Sequence, residues 1–168
     1  AEASLKQAIH LQPDFAEAHK SLGDVLQILN RAVEAEVSFK KAITIKPDFT
    51  NAFINLGLML EEFDRLDEAE ASFRQAIILK PDAHMAHANL GSTLYRMNRL
   101  DEAEASLKQS IILKPDSAEA YSNLGITLQE LGRLEEAEAS LKYAIILKPD
   151  FALAHYGLSK VLYNMSHK

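Results

Sequence analysis

Cysteine and tryptophan are both absent from the 168 residues of this sequence. Without cysteine the chain forms no disulfide bond, offers no thiolate ligand to a metal and has no cysteine nucleophile. Long apolar runs are missing too: none approaches the roughly 18 residues of a membrane-spanning helix, and the N-terminus lacks a signal-peptide pattern. We therefore expect a cytoplasmic protein that does not insert into a membrane.

An excess of basic residues is also missing. The chain has 18 lysines and arginines against 24 aspartates and glutamates, which gives a formal net charge of -6. Binding to nucleic acid depends on lysine and arginine side chains that neutralise phosphates, so we expect no nucleic-acid partner. The hydrophobic content of 48% is that of an ordinary globular protein, and the composition therefore predicts a folded chain.

Proline is scarce, and its positions are regular. The five prolines lie 34 residues apart, at Pro13, Pro47, Pro81, Pro115 and Pro149. The string IILKPD occurs at 77–82, 111–116 and 145–150, with close variants at 9–14 and 43–48. Because proline stops a helix, this pattern indicates a hydrophobic helix that ends in the same way five times. The sequence is therefore built from a 34-residue repeat.

Each repeat has room for two helices. In the segment 84–117, apolar or small residues recur every three or four positions in two sets, which indicates two amphipathic helices. The first set is Ala86, His87, Leu90, Gly91, Leu94 and Met97, and the second is Leu100, Ala103, Leu107, Ser110, Ile111 and Leu113. The turns between the sets carry Asn30, Asp64, Asn98 and Gly132, residue types that tolerate a positive φ. The pattern predicts an all-α fold of helix pairs with tight turns.

Two further series recur with the repeat. The aspartates after the prolines are predicted N-caps of the next first helix, at Asp14, Asp48, Asp82, Asp116 and Asp150. Glycine within a helix costs about 1 kcal/mol relative to alanine, yet every first helix but the last has one at the same position. These are Gly23, Gly57, Gly91 and Gly125. We expect them to contact the small residues Ala35, Ala69, Ala103 and Ala137 of the second helices.

The series His19-x-x-Leu22-Gly23-x-x-Leu26, then Ala35-x-x-x-Phe39, then Pro47 resembles the tetratricopeptide repeat in spacing and period. It recurs from Phe53, His87 and Tyr121. The resemblance implies a right-handed α-solenoid of stacked antiparallel helix pairs. It covers the chain as a single array, with a partial repeat at 1–15, full repeats at 16–49, 50–83, 84–117 and 118–151, and a partial repeat at 152–168.

The resemblance also implies a concave groove lined by the first helices. The side chains carried over to that groove as candidate peptide-binding residues are Lys20, Asp24, Ile54, Asn55, Leu58, Glu61, Met85, Asn89, Tyr95, Arg96, Asn123, Ile126, Glu130, Tyr156 and Lys160. Among them Asn55, Asn89 and Asn123 share one repeat position and are expected to form a ladder. An amide both donates and accepts hydrogen bonds, so a ladder can pair with successive peptide groups of an extended chain. The alternative is that these are solvated surface asparagines.

The full set of groove positions also includes Glu17, Glu62 and Glu119. It carries six acidic and three basic side chains beside several apolar ones, which favours a partner with apolar anchors and basic residues. Some members of the family hold an acidic C-terminal tail with a clamp of lysine, asparagine and arginine. The matching places in the first full repeat are Lys20 and Asp24, so we expect no such tail to bind here.

No catalytic constellation is evident in the sequence. His84 and His87 lie three apart on one predicted helix, but no third metal ligand follows them, and His87 belongs to the repeat core by its spacing. Glutamates such as Glu36 and Glu70 lie four residues before Lys40 and Arg74, the spacing of exposed helix ion pairs. We expect neither an enzyme nor a bound metal or cofactor.

These patterns favour a protein-interaction scaffold that binds an extended peptide segment of a partner. Two alternatives remain open. The array resembles the substrate-docking repeats of bacterial-type O-linked N-acetylglucosamine transferases, which also carry an asparagine ladder, and the catalytic domain would then lie outside these residues. The array ends also offer uncovered apolar side chains, which allows end-to-end self-association.

Overall fold

The computed structural model describes residues 1–167, and this part of the chain contains ten α-helices and no strand. The helices are α1 (Glu2–Leu11), α2 (Ala16–Ile28), α3 (Ala32–Ile45), α4 (Thr50–Glu62), α5 (Leu66–Leu79), α6 (His84–Arg96), α7 (Leu100–Leu113), α8 (Ala118–Glu130), α9 (Leu134–Leu147) and α10 (Ala152–Ser166). The even-numbered helices are the first helices of the repeats, and the odd-numbered ones are the second helices. The prediction of an all-α fold is confirmed, and the succession of helix pairs is that of an α-solenoid.

Tight turns join the two helices of each full repeat, as the sequence predicts. Asn30, Asp64 and Asn98 have φ angles of 56, 59 and 59°, and Gly132 has a φ of 75°. This left-handed conformation ends the first helix and reverses the chain within three residues. The packing is accordingly closest within the pairs α2 with α3, α4 with α5, α6 with α7, and α8 with α9.

The aspartates after the prolines are not N-caps, so that prediction is wrong. Pro13 and Asp14 occupy the middle of a turn that is closed by a 3.2 Å hydrogen bond from the Phe15 amide to the Gln12 carbonyl. The helix α2 therefore begins one residue later than expected, with Phe15 at the N-cap. Only one of the N-cap residues of the first helices has a side chain that accepts a hydrogen bond from a helix amide. This residue is Ser117 at the start of α8, which accepts from the Ala120 amide at 3.3 Å.

The mid-helix glycines do lie in close contacts, but their main partners are large side chains of the second helix. A Cβ added to Gly91 would lie 2.6 Å from Cγ of Leu107 and 3.2 Å from the backbone oxygen of Ala103. Gly23, Gly57 and Gly125 meet Phe39, Phe73 and Leu141 in the same way. The expected contact with the small residues is found for Ala103 and Ala137, through their backbone oxygens, but the large residue four positions further along lies closer to each glycine.

The helices divide into two compact units, unit 1 (Ala1–Pro81) and unit 2 (Asp82–Lys168). The division falls in the proline turn between two repeats. The core of unit 1 centres on Phe39 and Phe73, which are fully buried, and that of unit 2 on Leu107, Leu141 and Val161, which are also fully buried. Each unit therefore has a hydrophobic core of its own.

Arginines in the turns link successive second helices within each unit. In unit 1, Arg65 binds Glu68 of its own helix and Glu36 of the preceding second helix, with 2.6 Å contacts to both. Hydrogen bonds from Arg65 and Lys40 lower the pKa of Glu36 to about 2. The same arrangement recurs as Arg31 with Glu34 and Glu2, and as Arg133 with Glu136 and Glu104. The repeat thus carries a ladder of bidentate ion pairs.

Candidate functional site

The first helices of each unit bring predicted site residues together. In unit 1, the amide Nδ2 of Asn55 on α4 donates to Oδ1 of Asp24 on α2 at 2.6 Å. The other carboxylate oxygen of Asp24 accepts from Nζ of Lys20 at 2.7 Å. Three predicted residues therefore meet in one half-buried cluster, and Asp24 fixes the orientation of the Asn55 amide.

A shallow opening of about 490 Å³ lies beside this cluster in unit 1. It is lined by Asp24, Gln27, Ile28, Asn30 and Glu62. Gln27 donates to Glu62 across the two first helices at 3.1 Å, while the Ile28 side chain is largely exposed. The opening is polar and carries two carboxylates, which favours contact with basic groups.

The expected contribution of Ile54 to this surface is wrong. The side chain is only 5% exposed and belongs to the core of unit 1. Ser122, which occupies the equivalent position in unit 2, is also fully buried. At this repeat position the side chains of Ile54 and Ser122 are covered by packing, whereas those of Lys20 and Tyr156 are partly or largely exposed.

Unit 2 contains a pocket of about 220 Å³ between its first helices. The pocket is lined by Gly91, Ser92, Tyr95 and Arg96 of α6, Leu107 of α7, Asn123, Ile126 and Thr127 of α8, and Leu153 of α10. Four of the predicted site residues, Tyr95, Arg96, Asn123 and Ile126, are thus placed around one cavity. Three consecutive first helices contribute to it.

The walls of this pocket are mainly apolar. Leu107 is fully buried, and Ile126 and Leu153 add two further aliphatic side chains. The buried hydroxyl of Thr127 donates to the backbone oxygen of Asn123 at 2.8 Å, so its hydrogen is already used within α8. Partial burial, helped by the negative charge of Glu130, raises the pKa of Tyr95. The pocket therefore offers an apolar interior with polar side chains among its lining.

The remaining predicted residues lie outside this pocket. Met85 is 52% exposed at the start of α6, and Tyr156 is 64% exposed on α10 with Nζ of Lys160 5.9 Å from its ring centre. Leu58, Glu61 and Asn89 are partly exposed, and Glu130 is exposed. Asn123 lines the pocket but Asn89 does not, so the two asparagines of unit 2 have different surroundings.

Sequence reasoning assigned Gly91 and Leu107 to the core and gave Thr127 no role, so it missed their contribution to the pocket. The sequence does contain one signal for it. Ser92 is a small residue at a repeat position where Leu58 and Ile126 are large. A small side chain between two positions filled by large ones leaves an unfilled volume on the same face.

Within residues 1–167, no group of three or more histidines, aspartates and glutamates is arranged to hold a metal ion. None of the described helices is both long enough and apolar enough to cross a membrane.

The helix pairs, the positive φ at each turn and the aligned first-helix positions define an α-solenoid repeat protein. A family model for the tetratricopeptide repeat matches residues 1–48, 54–118, 88–150 and 122–164. The chain belongs to the tetratricopeptide repeat family. No curated protein matches the sequence.

Solved structures share the fold at low identity. The crystal structure of YrrB, a TPR protein with an unusual peptide-binding site, has a TM-score of 0.82 at 20% identity over 100% of this chain and 87% of that one. MamA from Desulfovibrio magneticus RS-1 has a TM-score of 0.82 at 19% identity, over 90% of this chain and 85% of that one. The first TPR of Spaghetti (RPAP3), bound to an HSP90 peptide, has a TM-score of 0.68 at 21% identity, over 70% of this chain and 93% of that one.

Proposed function

We propose that this chain is a non-catalytic interaction scaffold that binds an extended segment of a partner protein along its first helices. The observation that carries the proposal is the unit 2 pocket, because α6, α8 and α10 all contribute side chains to it. A segment that lies across consecutive first helices would meet all three. The structurally similar peptide-binding proteins support the same mode of use.

The asparagines favour an extended segment over a folded surface. Asn55, Asn89 and Asn123 occupy one repeat position on α4, α6 and α8. An amide side chain both donates and accepts, which matches the alternating groups of a peptide backbone. In unit 1 the Asp24 carboxylate already holds one amide hydrogen of Asn55. The remaining hydrogen and the amide oxygen are the groups proposed to pair with the partner.

Charge divides unevenly between the two units. The predicted groove positions of unit 1 carry the acidic residues Glu17, Asp24, Glu61 and Glu62 against the single basic residue Lys20. Those of unit 2 carry Glu119 and Glu130 against Arg96 and Lys160. We infer that unit 1 favours basic residues of a bound segment and that unit 2 favours apolar ones.

The test is a binding assay on 12-residue peptides that carry lysine or arginine together with one leucine or phenylalanine, measured by fluorescence anisotropy. We expect these peptides to bind more tightly than peptides in which the basic residues are replaced by glutamate. The variant Asn55→Ala/Asn89→Ala/Asn123→Ala should weaken binding about tenfold or more, since each lost amide contact contributes about 1 kcal/mol.

A matched control removes three amides from second helices instead, as Gln7→Ala/Gln75→Ala/Gln109→Ala, because these glutamines are also 34 or 68 residues apart. This control should bind as the parent does. Equal loss in both variants, or a preference for the acidic peptides, would contradict the proposal.

The asparagine ladder also favours a narrower role as the substrate-docking segment of a larger glycosyltransferase. The ladder is the shared feature, and the catalytic domain would be encoded outside this sequence. The isolated 168-residue chain should then compete with the full enzyme for its protein substrate in a glycosyl-transfer assay. Absence of competition at saturating concentrations would argue against this role.

Self-association is a second candidate, favoured by the exposed side chains of α10. Leu162 is 46% exposed and Tyr163 is 63% exposed near the end of this helix. Sedimentation at several concentrations should show a dimer that the variant Leu162→Glu abolishes. A parent chain that stays monomeric over the whole range would contradict end-to-end association.

A further inference from the structure

The unit 2 pocket exists because one repeat has a small residue where its neighbours have large ones. Counting along the repeat, the position is occupied by Asp24, Leu58, Ser92, Ile126 and Lys160. Leu58 and Ile126 are partly buried aliphatic side chains on α4 and α8. Ser92 is the smallest of the series and lines the pocket together with Gly91, which has no side chain. A serine at this position occurs only in the repeat 84–117.

The pocket has the size of one side chain. An apolar cavity of about 150 Å³ is large enough to bind benzene, whereas pockets for drug-sized molecules span about 300–1,000 Å³. The volume here is about 220 Å³. Leu107, which is fully buried, and Ile126 form walls that an aliphatic or aromatic group can contact.

The polar groups of the lining favour a side chain that belongs to a peptide. The side chain of Asn123 lies at the pocket, and its amide can pair with a backbone group that flanks an inserted residue. The hydroxyl of Thr127 donates within its own helix, so this buried group has no free hydrogen to offer a polar ligand. Arg96 is the one charged residue of the lining, so the pocket does not favour a basic side chain.

We propose that the pocket at Ser92 receives a single leucine-, isoleucine-, methionine- or phenylalanine-sized side chain of the extended partner segment, with Asn123 contacting the backbone beside it. This proposal rests on the proposed function. It adds that the inserted side chain of the partner sets the register of the bound segment. A buried apolar anchor in a pocket contributes a large share of binding energy in most interfaces. Ser92 is thus a specificity-determining residue.

The variant Ser92→Leu tests this directly, because Leu58 already occupies the same repeat position in the parent chain. We expect Ser92→Leu to fold and to unfold at the same denaturant concentration as the parent, or at a higher one. Its affinity for the leucine- and phenylalanine-containing peptides described above should fall at least tenfold. The matched control, Ala139→Leu, adds the same side chain to an exposed position of α9 and should leave affinity unchanged.

A second measurement uses small probes that do not depend on the rest of the groove. N-acetyl-leucine and N-acetyl-phenylalanine N-methylamides should shift the backbone amide resonances of Gly91, Ser92 and Asn123 in the whole chain, and the alanine analogue should not. Ser92→Leu should abolish these shifts. Shifts that are equal for all three probes, or that survive the substitution, would overturn the anchor pocket.

Failure of the anchor pocket and failure of the proposed function give different results in these assays. If Ser92→Leu retains full peptide affinity while Asn55→Ala/Asn89→Ala/Asn123→Ala loses it, the proposed function stands and the anchor pocket is wrong. If no peptide binds the parent at any concentration tested, the proposed function itself is wrong, and the anchor pocket is overturned with it.

Discussion

At the scale of single residues, the mid-helix glycines show most directly how closely the two helices of a repeat pack. Glycine lowers helix stability, yet the structure explains why each first helix except the last accepts one at this position. The side chain of the facing second helix occupies the volume that a Cβ would need. The glycine lowers helix stability by about 1 kcal/mol, and the closer packing of the two helices offsets this loss.

Gly91→Ala is therefore expected to destabilise the protein by about 1–2 kcal/mol, although alanine is the better helix former. The added Cβ would meet Cγ of Leu107, which is a branch point and not a flexible chain end, and also the backbone oxygen of Ala103. Urea unfolding monitored by circular dichroism measures the change. In the double variant with Leu107→Ala the additional cost of Gly91→Ala should shrink. A Gly91→Ala protein as stable as the parent would refute the close-packing account.

The ion pairs of Glu36 make the free energy of unfolding depend on pH. Its pKa in the folded protein is about 2, below the ordinary value of 4.5 for a glutamate, because Arg65 and Lys40 bind the carboxylate. The unfolded chain therefore takes up this proton first as the pH falls. The stabilisation is complete above about pH 5, decreases below the unfolded pKa and is lost as the pH approaches 2.

Glu36→Gln should accordingly lower the free energy of unfolding at pH 7 by about 1 kcal/mol, a value kept small because the Arg65 side chain is 37% exposed. The difference between parent and variant should diminish from pH 5 towards pH 3 in urea titrations. As a control, Glu135→Gln alters an exposed glutamate in the first turn of α9 and should lower the free energy of unfolding at pH 7 by less. A difference that grows at low pH would contradict the assignment.

Among the helices, the entry into each first helix is decided by the proline turn. Proline and aspartate fill the middle of the turn, so the aspartate lies one residue too early to cap the helix. The residue that follows takes the N-cap position, and in four of the five first helices its side chain makes no capping hydrogen bond. Only α8 has a serine there.

Ser117→Ala is expected to destabilise the protein by about 1 kcal/mol, since it removes the side-chain bond to the Ala120 amide. Asp116→Ala provides the matched comparison one residue earlier, and its effect should not exceed about 0.5 kcal/mol, the size of an exposed charge near a helix start. Thermal unfolding of the two variants decides the matter. A larger loss of stability from Asp116→Ala than from Ser117→Ala would show that the aspartate is the cap.

At the scale of the whole molecule, the chain comprises two compact units, and each contains fully buried hydrophobic side chains. Repeat proteins are stabilised by contacts within a repeat and with its immediate neighbours. We predict that the fragments 1–81 and 82–168 each give a helical circular dichroism spectrum and a cooperative thermal transition. A random-coil spectrum from either fragment would show that its core is insufficient.

Much of the fold was predictable because it is repeated. The positions of Asn30, Asp64, Asn98 and Gly132 gave the turns correctly, since the residue types suited to positive φ recur at one place in every repeat. The assignment of Ile54 to an open surface failed for a different reason. A repeat position inferred by analogy carries no information about how much of it a neighbouring helix covers.

The amino-acid sequence by itself determined the secondary structure and its order, because proline, the turn residues and the apolar spacing act locally and recur every 34 residues. The tertiary structure alone decided which side chains meet. The bond from Asn55 to Asp24 and the cavity at Ser92 both depend on how neighbouring first helices approach each other. That approach is set by packing between residues distant in sequence, and local patterns do not encode the volumes that such packing leaves unfilled.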